Sequence, residues 1–373
     1  MRILQVTSDW KWTGPAEPML RLALALRDRG HEVTLAAPEA PVPSGRSLAR
    51  EARAAGLAPS LELSRGRGLA LPRDARDARA LRSLVSARGV ELVHAWHTRD
   101  HLLAVLATMG RRSLVRSMRS ADPPWATPWT RWLLGRATDA LVCVSPGSVE
   151  RWRVVRGARP MFGVFGAVDP TRFYPDRAEP AVRESLGLKP EHRVVGIVAR
   201  VQPHRRFDLL LGAAAELFRA DPAARLLVIG RGTRHAQLAE EPAARLGIAD
   251  RVVFAGYRTE DYARILRTID VFTLLVPGSD GTCRALLEAA ACGVPAVVSR
   301  RGALPELVVH EETGLVVPET PSALAEAWGA LLRDAGRRAV LGRAAAERAR
   351  RLFTPQRFAA QLEDVYAAAL RRR

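Results

Sequence analysis

Cysteine is scarce in this chain, with Cys143, Cys283 and Cys292 the only three among 373 residues. They show no metal-type spacing, so a disulfide framework is excluded and a reducing compartment fits. Long apolar runs are missing too. No stretch approaches the roughly 18 consecutive apolar residues of a membrane-spanning helix, and Met1 and Arg2 run directly into the short segment Ile3–Val6, with no signal-peptide core. The sequence reading is therefore a cytoplasmic protein. Lysine is almost absent: Lys11 and Lys189 apart, the 57 basic residues are arginines. A net charge of +18 ordinarily raises nucleic-acid binding. No nucleic-acid-binding motif or aromatic-interleaved basic stripe accompanies it, and the Ala/Arg/Leu/Gly-rich composition has the look of GC-rich codon bias, so nucleic acid is not an expected partner. The first strand is not followed by a G-x-G-x-x-G run, which disfavours a dinucleotide-dependent oxidoreductase.

What is present is enough chain for two α/β domains of roughly 170 to 180 residues each. Hydrophobic residues make up 48% of it, with frequent Gly and Pro between apolar stretches, the pattern of a globular protein. Arg2–Thr7 reads as a strand, Trp10–Pro18 as a loop, Met19–Gly30 as a helix ending at a glycine cap, and Glu32–Ala37 as the next strand. A βαβ opening with short connections predicts a parallel, doubly wound sheet. Further strands are expected at Glu91–Ala95, Ser113–Arg116 and Ala140–Val144. After the Pro- and charge-rich stretch Pro170–Glu191 a second series begins, with strands at Arg193–Ala199, Ala224–Ile229, Arg251–Ala255, Val271–Leu275 and Pro295–Ser299 and a final helix at Pro355–Leu370. The expected division is 1–175, 176–352 and a C-terminal helix in 353–373 that returns to the first domain. Residues 1–180 carry 28 Lys/Arg against 17 Asp/Glu, net +11, and residues 181–373 carry 29 against 22, net +7. The more basic half admits peripheral contact with an anionic membrane on its inner face, or an anionic acceptor.

Chemistry concentrates first in the stretch from Asp280 to Glu288. A loop leads from the Val271–Leu275 strand into a helix over roughly Arg284–Cys292, closed by Gly293. A helix N-terminus at the C-terminal edge of a parallel sheet offers unpaired N–H groups and about half a unit of positive charge, a site for a diphosphate. Glu288, one to two turns in, can accept hydrogen bonds from a vicinal diol such as ribose; the plain alternative is a solvated helix residue with Asp280 as cap. A second element is Arg200 to Arg206, directly after a strand, where guanidinium groups can take a diphosphate through paired donors and never lose their charge. In the first half, His94 ends a strand and His97 and Asp100 follow it in a loop, against the plain reading of satisfied core histidines.

Taken together these stretches resemble the GT-B glycosyltransferases of family 4, which retain anomeric configuration. Asp280 and Glu288 resemble the family's E-x7-E motif, with Asp in place of the first Glu. Arg200, Arg205 and Arg206 fall at its Arg-x4-Lys-Gly, with Arg for Lys and Arg for Gly. Gly14 resembles its glycine-rich loop, reduced to one glycine, and His94 its strand-end His. Gly166–Pro175 resembles the family's hinge, and Gly230–Gly232, Phe254–Gly256 and Gly302–Glu306 follow in the right order. The resemblance implies an α/β fold of two Rossmann-like domains with parallel sheets facing across a cleft. It implies a nucleoside-diphosphate sugar bound by the second domain and an acceptor hydroxyl by the first. By that resemblance Arg200 and Arg205 meet the diphosphate, Asp280 with the backbone of Thr282 and Cys283 the sugar, and Glu288 the ribose; Gly14, Gly230, Arg284 and Ala285 complete the donor site. His94 belongs near the reacting centre, and His97, Asp100 and Arg119 face the acceptor. Neither metal nor cofactor is expected, since no Asp-x-Asp pair is present and the sugar donor is a co-substrate. The acceptor class is a glycan or lipid-linked envelope glycan such as lipopolysaccharide, with a small molecule or natural product as the alternative. A nucleotide-sugar-binding pseudoenzyme stays open on the departures from the motifs.

Overall fold

A computed structural model describes the whole chain apart from residues 13–15, 42–45, 67, 69, 158, 279–280 and 373. The chain divides into two compact units. One comprises Met1–Gly166, Ser279–Thr282 and Pro355–Arg373; the other comprises Ala167–Gly278 and Cys283–Thr354.

The first unit is built on strands β1 (Arg2–Val6), β2 (Glu32–Ala37), β3 (Leu61–Glu62), β4 (Leu92–Ala95), β5 (Ser113–Ser117), β6 (Ala140–Cys143) and β7 (Met161–Gly163), in the order β3-β2-β1-β4-β5-β6-β7. Every pairing is parallel. Such sheets are covered on both faces, and β1 and β4 read accordingly as nearly continuous buried runs. The helix Ala16–Asp28 starts earlier than its sequence pattern suggested, and Met19, Leu22, Ala23 and Leu26 form its buried stripe at helical spacing. It ends as the glycine predicted: Gly30 takes a φ of +84°, its N–H donates to the Arg27 carbonyl, and the His31 N–H donates to that of Leu26. The helix Pro355–Leu370 packs here as well. It buries Phe358, Leu362, Val365, Tyr366 and Ala369, and Glu363 bridges Arg29 and His31. Hydrogen bonds from Arg29, with burial opposing them, hold the Glu363 carboxyl down at about 2.

The second unit repeats the plan with β8 (Arg193–Val198), β9 (Ala224–Ile229), β10 (Val252–Gly256), β11 (Val271–Leu274), β12 (Ala296–Val298) and β13 (Gly314–Val316), ordered β10-β9-β8-β11-β12-β13 and again parallel. Its core gathers β8, β9 and the helices Phe207–Ala220 and Pro321–Arg333 around the fully buried Trp328. The short edge strands β3, β7 and β13 carry two or three residues each and escaped the sequence reading, because so short a run shows no periodicity.

Strand order fixes where each unit can hold a ligand. The chain winds outward from β1 through β2 to β3, then returns to β4 on the other side of β1; in the second unit it winds from β8 to β10 and returns to β11 beside β8. The crevices beyond the C-terminal ends of β1/β4 and of β8/β11 are therefore topological switch points, where loops part and leave room for a ligand. Among the described residues no helix is long and apolar enough to cross a membrane.

Candidate functional site

At the switch point of the second unit, β8 runs into Arg200, which is exposed and makes no hydrogen bond or ion pair with a described residue. Arg205 follows in a short 3-10 turn, Pro203–Arg205, and is only 7% exposed. Its Nη1 donates to the carbonyls of Val276 and Pro277, both at 3.1 Å, so it ties the β8 loop to the loop that leaves β11. Arg206 adopts a φ of +57° at the N-cap of the helix Phe207–Ala220. This is the slot where the sequence resemblance called for glycine, and the conformation explains why. Arg206 lies 3.2 Å from Glu319 and 3.4 Å from Asp208. On the other flank of β8, Gly230 has a φ of +144°, and a Cβ there would stand 2.1 Å from the Ala199 carbonyl oxygen. Glycine lets the β9 loop lie against the β8 loop.

The β11 loop feeds the helix Arg284–Ala291, whose N-cap Cys283 is 2% exposed, has a φ of +52° and makes no side-chain cap. Arg284 and Ala285, half-buried, form its first turn. Glu288 is 4% exposed: the Tyr262 hydroxyl donates to its Oε2 at 2.7 Å, and the Arg284 guanidinium stands 3.2 Å from its Oε1. Burial, followed by the charge of Glu288 and its hydrogen bond, holds the Tyr262 phenol well above its ordinary range, so the phenol is a donor to the carboxylate. Arg205 and the helix start are thus brought to one crevice, while Glu288 sits a turn farther along the same helix. Gly14 and Asp280 lie outside the described residues.

The first unit's switch point is built by Thr7 to Asp9 after β1 and Trp96 to Asp100 after β4. Asp100 is fully buried and takes three hydrogen bonds, from the Ser8 N–H at 2.7 Å, the His97 N–H at 2.8 Å and the His97 ring Nδ1 at 2.9 Å. Burial works against its ionisation; the bonds from His97, the His97 charge, the Ser8 bond and the Arg116 charge outweigh it and hold the carboxyl below its ordinary range. His97 also meets Thr7 Oγ1 at 3.2 Å through Nδ1, which leaves its buried Nε2 with no described partner. Asp100, expected at the acceptor, holds His97 in place.

His94, expected at the reacting centre, is likewise enclosed. It is 0% exposed, with Nδ1 2.8 Å from the Tyr366 hydroxyl and Nε2 2.8 Å from Ser117 Oγ, and its ring stacks on Trp96 at 4.8 Å. Burial, aided by the Arg116 charge, lowers its pKa to about 3, so the ring is neutral. With both nitrogens taken it positions Ser117 and Trp96. Those two residues line a shallow concavity at the C-terminal edge of the first sheet, with Met118, Arg119, Val144 and Thr282. Arg119 is half-buried, and its carbonyl oxygen would be 2.6 Å from a Cβ on Gly281, whose φ is +67°.

Sequence reasoning missed Ser8, Trp96, Ser117, Tyr262 and Tyr366. Trp96 had a signal, as an aromatic between two candidate histidines. Tyr262 and Tyr366 had none, because their partners lie 26 and 272 residues away.

Comparison with known proteins follows the same division. Residues 14–172 match the family model described as Glycosyltransferase Family 4, and residues 192–334 that described as Glycosyl transferases group 1. The chain is 38% identical over 298 residues to a D-inositol 3-phosphate glycosyltransferase of Salinispora tropica, covering 76% of this chain and 60% of that protein, less than two thirds of its length. It is 32% identical over 285 residues to a GDP-mannose-dependent alpha-(1-6)-phosphatidylinositol monomannoside mannosyltransferase of Mycolicibacterium smegmatis, covering 71% of this chain and 73% of that one. The solved structure of Anabaena Alr3699/HepE in complex with UDP and glucose shares the fold, with a TM-score of 0.80 at 18% identity over 98% of this chain and 99% of that chain.

Proposed function

This chain belongs to glycosyltransferase family 4 and has the GT-B fold, and from that premise we propose that it transfers a sugar from a nucleoside-diphosphate donor to an acceptor hydroxyl with retention at the anomeric carbon. The observation that carries the proposal is the β8/β11 crevice, where Arg200, Arg205 and the start of the helix Arg284–Ala291 share one sheet edge. Negative charge grows on the departing diphosphate, so cationic groups and helix amides aimed there stabilise the transition state more than the ground state. In this reading Arg200 and Arg205 hold the diphosphate, Asp280 and the backbone of Thr282 and Cys283 hold the sugar, and Glu288, oriented by Tyr262 and Arg284, holds the ribose. The bond from anomeric carbon to phosphate oxygen breaks as the acceptor oxygen bonds to that carbon, and the departing phosphate oxygen takes the acceptor proton. The proposal uses no metal or cofactor.

The first unit is assigned the acceptor, with His97 held by Asp100 and with Arg119 at the concavity. A lipid-linked envelope glycan handled at the cytoplasmic face is the favoured class, supported by the phosphatidylinositol-linked acceptor in the name of the mycobacterial relative. The direct test is Arg200→Ala. Because Arg200 is exposed and engages no described residue, the melting temperature should stay that of wild type. Affinity for nucleoside diphosphates should fall about 10- to 100-fold, the loss of a charged hydrogen bond worth about 1.5–3 kcal/mol. Unchanged affinity in titration calorimetry would remove Arg200 from the donor site.

A further inference from the structure

Trp125, Trp129 and Trp132 are 90%, 57% and 43% exposed, three of the eight tryptophans, gathered within one short stretch of the first unit. Large aromatic rings left in water mark a surface that is covered in use. This one is rigid. Thr127 caps the short helix Pro128–Arg131 by accepting from the Thr130 N–H at 3.2 Å, and the chain continues into a π-turn, Trp132–Arg136. There Leu133 and Leu134 are buried, and Arg156 donates to the carbonyls of Leu134, Thr138 and Asp139 from beneath. Trp129 and Trp132 stack at 5.1 Å.

The charge around the rings selects the occupant. From Arg119 to Arg136 the chain has three arginines and one acid, Asp122, net +2 by subtraction. Asp122 is paired with Arg151 at 3.1 Å, whereas Arg131 and Arg136 are exposed and make no ion pair with a described residue. A second copy docked face to face would bring two patches of the same positive charge together, because a two-fold interface repeats the same patch. An anionic bilayer satisfies both features: indole rings settle at the headgroup level, and guanidinium groups meet lipid phosphates.

We propose that Trp125, Trp129 and Trp132, flanked by Arg131 and Arg136, form a docking surface for an anionic lipid bilayer. The inference deepens the reading above, since it supplies the membrane from which a lipid-linked acceptor is drawn. The same chain segment, a few residues upstream, lines the concavity with Ser117, Met118 and Arg119.

The test is co-sedimentation of the full chain with vesicles of phosphatidylcholine, with and without phosphatidylglycerol, while indole emission is recorded. Wild type should bind the phosphatidylglycerol vesicles with a blue shift in emission and should be released by salt. The variant Trp125→Ser/Trp129→Ser/Trp132→Ser should lose binding and the shift, and Arg131→Gln/Arg136→Gln should weaken binding about 30-fold. Both variants should keep the wild-type melting temperature and its increase on addition of nucleoside diphosphate. Equal vesicle binding by wild type and the tryptophan variant overturns the inference, as does wild type that ignores both vesicle types. A dimer that the tryptophan variant converts to monomer, with no vesicle binding, overturns it in favour of self-association. Loss of vesicle binding alone leaves the transferase reading standing, whereas absence of nucleoside-diphosphate stabilisation with vesicle binding intact defeats that reading and spares this one.

Discussion

His94 shows what a single side chain can reveal and conceal. Its place at a strand end was legible in the sequence, as a His following the apolar run Leu92–Val93. Its enclosure was not, because the partner that closes one side, Tyr366, arrives from 272 residues away. A ring whose folded pKa is lowered to about 3, against 6.5 when unfolded, remains neutral while the unfolded chain takes up a proton. Its contribution is fully present above pH 6.5 and is lost progressively as pH falls from there towards 3, a loss on the order of 4 kcal/mol. Stability measured by urea unfolding should therefore decline through this window, and His94→Asn should flatten the decline. Parallel pH profiles for the two proteins would contradict the assignment. Arg206 makes the complementary point. The sequence showed a departure from glycine, and the structure shows its expense, a left-handed backbone costing roughly 1–2 kcal/mol. Ion pairs with Glu319 and Asp208 offset part of it.

At the scale of elements, the long periodic segments were readable and the edges were not. The strands around each switch point were placed within a residue or two, since buried parallel strands are written as apolar runs. The N-cap of the helix Arg284–Ala291 is Cys283; Asp280, the plain cap candidate in the sequence, lies outside the described residues. The glycines at the switch point carry a quantitative expectation. Gly230→Ala would drive a Cβ to 2.1 Å from the Ala199 carbonyl oxygen in a strained conformation, so destabilisation of about 2–4 kcal/mol is expected. Gly30, also at positive φ but with nothing within 4 Å of its would-be Cβ, should tolerate Ala at a cost of about 1–2 kcal/mol. Urea unfolding midpoints compare the two directly. Equal losses would mean that close approach of the β8 and β9 loops contributes nothing.

For the molecule as a whole, duplication of one plan was visible in the sequence as two series of α/β segments. The strand orders, β3-β2-β1-β4-β5-β6-β7 and β10-β9-β8-β11-β12-β13, turn that duplication into two switch points, each collecting candidate residues of its own unit. The candidate site was legible where charge and helix position define it, at Arg200, Arg205 and Glu288. It was illegible where distant residues set the environment, as Tyr262 does for Glu288 and Ser8 for Asp100. The account stands on the claim that the crevice between β8 and β11 receives a diphosphate. Amide hydrogen exchange of the full chain, with and without UDP, GDP or ADP, tests it most directly. At least one of these nucleotides should slow exchange in residues 200–206, 230–232 and 283–288. Slowing confined to the loops after β1 and β4, or none with any of the three, would contradict it.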